Sequence, residues 1–165
     1  MPGGLVKFII LIFLLFSQVA MSQSQLQDSF TISSMSFKEP WEHYKAAIFS
    51  NGSTVLILEN DEAAVRSFQI HNAPSTFQDL ISTLDDFQFT KFEDEYGWTR
   101  EEEKDPKCIE LWSDNEYTVV SFQYAGQEKT ISYYHGCRGF LRETDLKSLL
   151  QQVKNIMGLS EFVGT

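Results

Sequence analysis

The side chains best suited to chemistry lie together in one short stretch, "ISYYHGCRGF", residues 131–140. His135 stands two residues before Cys137, and Arg138 follows directly. A histidine can act as the general base for a cysteine nucleophile, and an arginine can assist. The first two side chains share one side of a strand only if that strand continues, and Gly136 indicates that it ends. His135, Cys137 and Arg138 are therefore candidates for a catalytic site, and a disulfide-bonded strand end is the alternative.

The N-terminus indicates the compartment. Lys7 precedes the unbroken apolar run "FIILIFLLF", and the small or polar residues of "SQVAMSQSQ" follow. This order is typical of a secretory signal peptide, here residues 1–22 with cleavage after Ser22. A retained membrane anchor is the alternative, although the run is shorter than the ~20 residues of a membrane span. We expect an extracytoplasmic protein, periplasmic or secreted, with no stable membrane insertion after cleavage.

The cysteine count fits that compartment. The chain has two cysteines, Cys108 and Cys137, and an even count in an exported chain indicates a disulfide. A reactive thiol and a Cys/His metal site are the alternatives. The sequence has no CxxC, HExxH or GxSxG pattern and no glycine-rich phosphate loop. We therefore predict no metal and no cofactor.

The disulfide sets a condition on the fold. If "CIELW" paired as a tight hairpin with the next strand, Cys108 would lie far from Cys137, whereas a bridge needs Cα atoms within about 7 Å. The bridge therefore requires that the chain reverse at Gly136, or that "CIELW" pair elsewhere. Glycine suits a reversal because it accepts positive φ without steric cost.

The charge excludes some partners. The chain has 13 basic and 23 acidic residues, and its formal net charge is −10. Such a surface repels phosphate backbones, so we expect neither nucleic acid nor anionic membranes as partners. Residues 23–40 are polar and end at Pro40, which suggests a linker or an N-terminal arm. Residues 41–165 have the length of a single domain.

Two segments have helical periodicity. In "STFQDLISTLDDF" the apolar residues recur on one helix face, with Ser75 and Gln78 as a capping box. In "LRETDLKSLLQQVKNIMG" a second apolar face extends to Met157, with Thr144 to cap the start and Gly158 the end.

The other regular segments have strand patterns. Asn51-Gly52 predicts a two-residue turn that places Ile48 opposite Val55. Gly126-Gln127 as a second turn would place Phe122 opposite Ile131.

The element order predicts the fold class. Three strands precede the first helix, and two or three strands precede the second. Hairpin-connected strands give an antiparallel sheet, so we predict an α+β fold with five to six strands and two helices packed on one face.

These segments also carry a resemblance. The order "YKAAIFSNGSTVLIL", "LDDFQFTKFEDEY", "DPKCIELW", "EKTISYYHGC" and a closing helix resembles a bacterial exported family, domain of unknown function 6438, over about residues 44–158. That family opens with a cysteine-rich "CxGxCP" segment, where this chain has "KEPWEH". The resemblance implies export and an α+β fold, and it implies no activity.

Two functions follow from these features. The first is a non-catalytic exported domain that binds a protein, peptide or envelope component, with aromatic side chains as candidate contacts. These candidates are Phe92, Tyr96, Trp98, Trp112 and Tyr134. The alternative is a small hydrolase-like enzyme centred on His135 and Cys137, assisted by Tyr133, Tyr134 and Arg138.

The signal-peptide interpretation can be tested by mass spectrometry. We expect the intact mass of the exported protein to match a chain that begins at Gln23, since Ala20 and Ser22 are the small residues that precede a cut. A mass that includes residues 1–22 would contradict cleavage.

Overall fold

The computed structural model describes residues 28–35, 42–60, 65–97, 108–113 and 115–163. They form an α+β fold with a mostly antiparallel seven-stranded sheet, a separate two-stranded ribbon and two main helices. The predicted signal peptide and Trp98 lie outside the described residues.

The described part of the chain contains nine strands, three α-helices and one 3-10 turn. The strands are β1 (Ser29–Met35), β2 (Glu42–Phe49), β3 (Ser53–Asn60), β4 (Val65–His71), β5 (Glu95–Tyr96), β6 (Glu110–Leu111), β7 (Tyr117–Tyr124), β8 (Gln127–Tyr134) and β9 (Cys137–Arg138). The helices are α1 (Thr76–Asp86), α2 (Glu143–Ile156) and the short α3 (Ser160–Val163), with a 3-10 turn at Phe89–Lys91. The large sheet has the order β4-β3-β2-β1-β7-β8-β5, and only its β5–β8 pair is parallel. The ribbon pairs β6 with β9.

The N-terminal segment requires the largest correction. Within residues 23–40, expected to be a linker or arm, residues 29–35 form β1, which pairs with β2 on one side and β7 on the other. Phe30, Ile32 and Ser34 are buried, and the residues between them are partly exposed. Two large apolar residues are too few to mark a strand by periodicity, which is why β1 was missed. The large sheet has seven strands, not five or six.

The first hairpin differs from its predicted register by one residue. Ile48 lies opposite Thr54, not Val55. The loop has three residues and ends at Gly52 with φ +83°, as in a type I turn followed by a left-handed residue. Because side chains alternate, the shift places Leu56 rather than Val55 on the buried side of the sheet.

The second hairpin differs by two residues. Its turn is Ala125-Gly126, both with positive φ (49° and 78°), as a type I′ turn requires. Val120 therefore lies opposite Ile131, in place of Phe122. A register shift of two residues keeps every side chain on its predicted side of the sheet. The predicted apolar side of this hairpin is therefore confirmed.

Both predicted helices form, and their apolar faces are buried in one hydrophobic core with the strands. The capping details differ. Ser75 makes no side-chain capping hydrogen bond in the described structure. α2 begins at Glu143, so Thr144 lies inside its first turn.

The end of α2 agrees with its prediction. Gly158 has φ +73°, and the Leu159 amide donates to the Lys154 carbonyl at 2.8 Å. This is the Schellman arrangement, in which a left-handed glycine ends the helix.

Gly52 and Gly126 both have positive φ, but only Gly52 also lacks space for a side chain. A Cβ on Gly52 would lie 2.4 Å from the Ala73 carbonyl oxygen, whereas one on Gly126 would meet nothing within 4 Å. We expect Gly126→Ala to cost about 1 kcal/mol of unfolding free energy through its positive φ alone. Gly52→Ala should cost clearly more, because the backbone at residue 73 must also move. Urea unfolding of both variants measures this, and equal losses would contradict the close approach.

Candidate functional site

The ribbon is crosslinked by the predicted disulfide. Cys108 and Cys137 are bonded, with their Cα atoms 5.1 Å apart. Leu111 pairs with Cys137, and Glu110 pairs with Arg138. "CIELW" thus pairs with the segment after β8 and not as a tight hairpin with β7, which satisfies the geometric condition for the bridge.

The chain turns at His135-Gly136 between β8 and β9, and Gly136 is tightly packed there. A Cβ at this position would lie 2.1 Å from the Trp112 carbonyl oxygen and 2.5 Å from Cε1 of Tyr134. The Trp112 amide in turn donates to the Gly136 carbonyl at 2.9 Å. The φ angle of Gly136 is not positive. Its role is therefore steric, whereas Gly139, the next glycine, does adopt a positive φ of +76°.

The ribbon displays apolar side chains to solvent. Ile109 is 80% exposed, Trp112 58% and Leu141, just after β9, 87%; Leu111 is also exposed. We call these four residues the ribbon surface. Isolated exposed apolar residues are ordinary, but here four of the six large exposed ones in the described part of the chain lie in or within three residues of the ribbon strands. Such clustering is typical of an interaction surface.

Trp112 is held in place by its neighbours. Its indole Nε1 donates to Glu110 Oε2 at 3.2 Å, and its backbone carbonyl accepts from the Tyr134 hydroxyl at 2.7 Å. The Arg138 guanidinium carbon lies 5.8 Å from the centre of the indole ring, within cation–π range. These contacts orient the tryptophan while leaving more than half of it exposed.

Glu143 ties the ribbon to the start of α2. Its carboxylate accepts hydrogen bonds from the Gly139 amide (2.7 Å), from Arg138 (3.2 Å) and from Lys147. Partial burial opposes ionisation, but these donors outweigh it and lower the pKa of Glu143 to about 2. The carboxylate is therefore charged at all physiological pH values, and it fixes both the turn after β9 and Arg138.

His135 belongs to a polar cluster between the sheet and the ribbon. Its Nε2 lies 2.8 Å from the Thr118 hydroxyl, and its ring stacks on Tyr133 with centroids 4.5 Å apart. Its backbone amide donates to the Glu116 carbonyl at 2.8 Å. The Glu116 carboxylate accepts from the Ser34 hydroxyl. Burial lowers the pKa of His135, with Glu116 opposing, so the ring is neutral near pH 7.

This cluster is poorly suited to nucleophilic catalysis. Thr118 is 2% exposed and Ser34 3%, so neither hydroxyl reaches a substrate. Cys137 is bonded to Cys108 and offers no thiolate. Arg138 is engaged by Glu143 and Trp112. The structure brings His135, Cys137 and Arg138 near one another, and the contacts of each are those of a structural residue.

The predicted aromatic contacts fall into two groups. Tyr96 and Phe92 are buried in the core, and the Tyr96 hydroxyl accepts from the Glu93 amide at 2.9 Å. Trp112 is exposed, and Tyr134 is half-buried beside it. Trp98 is outside the described residues.

Sequence reasoning missed several residues of these sites. Ile109 and Leu111 alternate with Cys108 and Glu110, and this alternation indicates a strand. It does not indicate that the side with Ile109 and Leu111 is exposed. Leu141 carries no local signal. The Ser34–Glu116–Thr118 group depends on pairing between residues more than 80 positions apart, which no local pattern reveals.

The described residues show neither a metal site nor a membrane-spanning helix. In the described ranges, no group of three or more His, Cys, Asp or Glu residues could hold a metal ion. None of the helices described here has the length and apolar character needed to cross a membrane.

No protein-family model matches the chain, and no curated protein matches it either.

The partly buried side chain of His135 predicts a pH dependence. Because the folded-state pKa of His135 lies below its ordinary 6.5, the unfolded chain binds a proton at pH values where the folded chain does not. The free energy of unfolding is therefore unaffected by this group above pH 6.5, and it decreases as the pH falls below 6.5. We expect the slope of unfolding free energy against pH, measured by urea titration, to become shallower just below pH 6.5 in His135→Gln.

The exposed histidine His71 provides the matched control. His71→Gln removes a histidine from the surface and measures how much of any change in slope comes from losing a histidine elsewhere in the fold. A further loss of stability between about pH 4.5 and 2, from Glu143, should remain in both variants. An unchanged slope in His135→Gln would contradict the burial of a neutral ring.

Proposed function

We propose that this protein is an exported, non-catalytic domain that binds a protein or peptide through the ribbon surface. The observation that carries the proposal is the exposure of Ile109, Leu111, Trp112 and Leu141 in and beside a crosslinked ribbon. The disulfide fits an oxidising compartment, which supports export to the periplasm or outside the cell. The resemblance to domain of unknown function 6438 supports the same location and remains part of the proposal.

The rigidity of the ribbon supports binding. The Cys108–Cys137 bond, the Glu143 hydrogen bonds and the close approach at Gly136 hold this surface in one conformation. A surface that is already ordered loses less conformational entropy when it binds. Tryptophan and arginine are also the residues that most often dominate binding energy, and Trp112 and Arg138 are adjacent here.

Charge indicates the partner's chemistry. The chain has a net charge of −10, and Glu110 lies exposed within the ribbon itself. A partner segment that combines apolar or aromatic side chains with lysine or arginine would match both the apolar surface and the acidic field around it. This complementarity favours a basic protein segment over other envelope components.

The hydrolase alternative lacks an accessible nucleophile at its proposed centre. Cys137 is in a disulfide, and the hydroxyl that contacts His135 belongs to buried Thr118. We therefore assign the region around His135 a structural role beneath the binding surface.

A displayed library of random peptides tests the proposal. We expect the wild-type domain to enrich peptides with aromatic or aliphatic residues next to lysine or arginine. Trp112→Ala should weaken binding of an enriched peptide at least about tenfold, as expected for a central tryptophan.

Val65→Ala is the matched control. Val65 is 63% exposed, similar to Trp112, but it lies on the edge strand β4, five strands away from β8 in the sheet order. The Val65→Ala variant should bind the enriched peptide as tightly as the wild type does. Replacing both cysteines with serine should also weaken binding, through loss of rigidity. Failure of the wild type to enrich peptides, or equal binding by Trp112→Ala, would overturn the proposal.

A further inference from the structure

Strand β4 forms one edge of the large sheet, and nothing in the described part of the chain pairs with its outer side. β4 is the last strand in the sheet order, and β3 is its neighbour there. Seven consecutive residues, Val65–His71, pair with β3 in an uninterrupted register without a bulge. The backbone groups of β4 that point away from β3 have no backbone partner among the described residues. An edge of this length is a template for another strand.

β4 lacks the features by which monomeric proteins protect an edge strand, which are prolines, bulges and several charges. It contains no proline, and Arg66 is its one charged residue when histidine is neutral. The other edge of the sheet differs. β5 pairs with two residues of β8, and the part of β8 that β5 leaves uncovered carries Glu128 and Lys129. Those charges disfavour strand addition at β8, whereas β4 has little to oppose it.

Partly buried apolar side chains lie next to the β4 edge, on the side of the sheet that faces the core. Phe68 and Ile70 of β4 are only partly covered, and so are Phe162 and Val163 of α3. The Phe68 and Phe162 rings lie with their centroids 5.0 Å apart. Strand and helix therefore present one apolar strip, made of these four residues, that the single chain leaves partly in water.

The sequence of β4 suits antiparallel pairing with a second copy of itself. When the pairing is centred on Phe68, no like charges oppose each other. The facing pairs are Phe68 with its copy, Ser67 with Gln69, Arg66 with Ile70, and Val65 with His71. The chain has a net charge of −10, but β4 has no acidic residue. Two copies therefore avoid direct repulsion between carboxylates along this edge.

We propose that two copies of this chain pair antiparallel through β4 and join their seven-stranded sheets into one continuous sheet. A two-fold axis between the two Phe68 residues, perpendicular to the sheet, places the helices of both copies on the same side. The α3 helices then lie next to each other and cover the apolar strip. A second copy fits this edge better than a lone extended peptide, because a peptide pairs with the backbone but brings no helix to cover Phe162 and Val163. The inference goes beyond the proposed peptide-binding function and does not depend on it.

Sedimentation equilibrium of the exported protein at increasing concentration tests the proposal. We expect the wild type to pass from monomer to dimer, because mass action favours the paired form as the concentration rises. A wild-type protein that remains monomeric up to about 1 mM would overturn the proposal.

Two double variants test the edge and its register. Ser67 and Gln69 are both exposed and face away from the core. Ser67→Lys with Gln69→Lys places like charges opposite each other twice in the dimer, and it should weaken dimerisation about tenfold. Because the two lysines also reduce the net negative charge, general repulsion between the chains cannot cause that loss. Ser67→Lys with Gln69→Glu is the matched control. It places opposite charges at the same two positions and should dimerise at least as tightly as the wild type.

The same measurements contain the results that would contradict the proposal. A wild-type dimer that persists unchanged in Ser67→Lys with Gln69→Lys would show that β4 is not the interface. Equal weakening by both double variants would overturn the register centred on Phe68. Trp112→Ala should leave the dimer unchanged, since Trp112 belongs to the ribbon surface. Loss of the dimer in Trp112→Ala would place the interface at the ribbon and overturn the assignment to β4.

Discussion

The pairing of β1 on both of its edges is the interaction on which the rest of the structure depends. β2, β3 and β4 form one set of antiparallel strands, and β7, β8 and β5 form another. Within the described chain, the two sets join only through β1, which hydrogen-bonds β2 along one edge and β7 along the other. Phe30 and Ile32 bring the buried residues of both sets into one core. The domain thus begins with the segment that composition alone marks as a linker.

The residues at and next to the two ends of β1 also bind other parts of the chain. At its C-terminal end the Ser34 hydroxyl binds Glu116, in the cluster that supports His135 beneath the ribbon. At the other end the Asp28 carboxylate accepts from the Ala125 amide at 3.0 Å, and the Asp28 carbonyl accepts from the Ser50 amide at 3.2 Å. Asp28 therefore holds the turn of the β7–β8 hairpin.

The limits of sequence reasoning here have specific physical causes. The helices were predictable because their apolar periodicity is local and long, and the disulfide because only one pairing exists. Hairpin registers were wrong by one or two residues, since Gly52 ends a three-residue loop and Ala125 adopts a conformation usually left to asparagine or glycine. Trp112 is exposed, as a candidate contact must be, but Tyr96 has the same aromatic character and is buried. Burial follows from strand pairing over long sequence distances, which local patterns do not encode.

Hydrogen exchange of the backbone amides in residues 28–35 tests the central claim most directly. A strand paired on both edges in the middle of a sheet exchanges only when the sheet opens, so β1 should be protected as strongly as β7. Fast exchange of β1, with β2–β4 and β7–β8 still protected, would show that this segment is a loosely docked arm. It would contradict the account of how the two halves are joined.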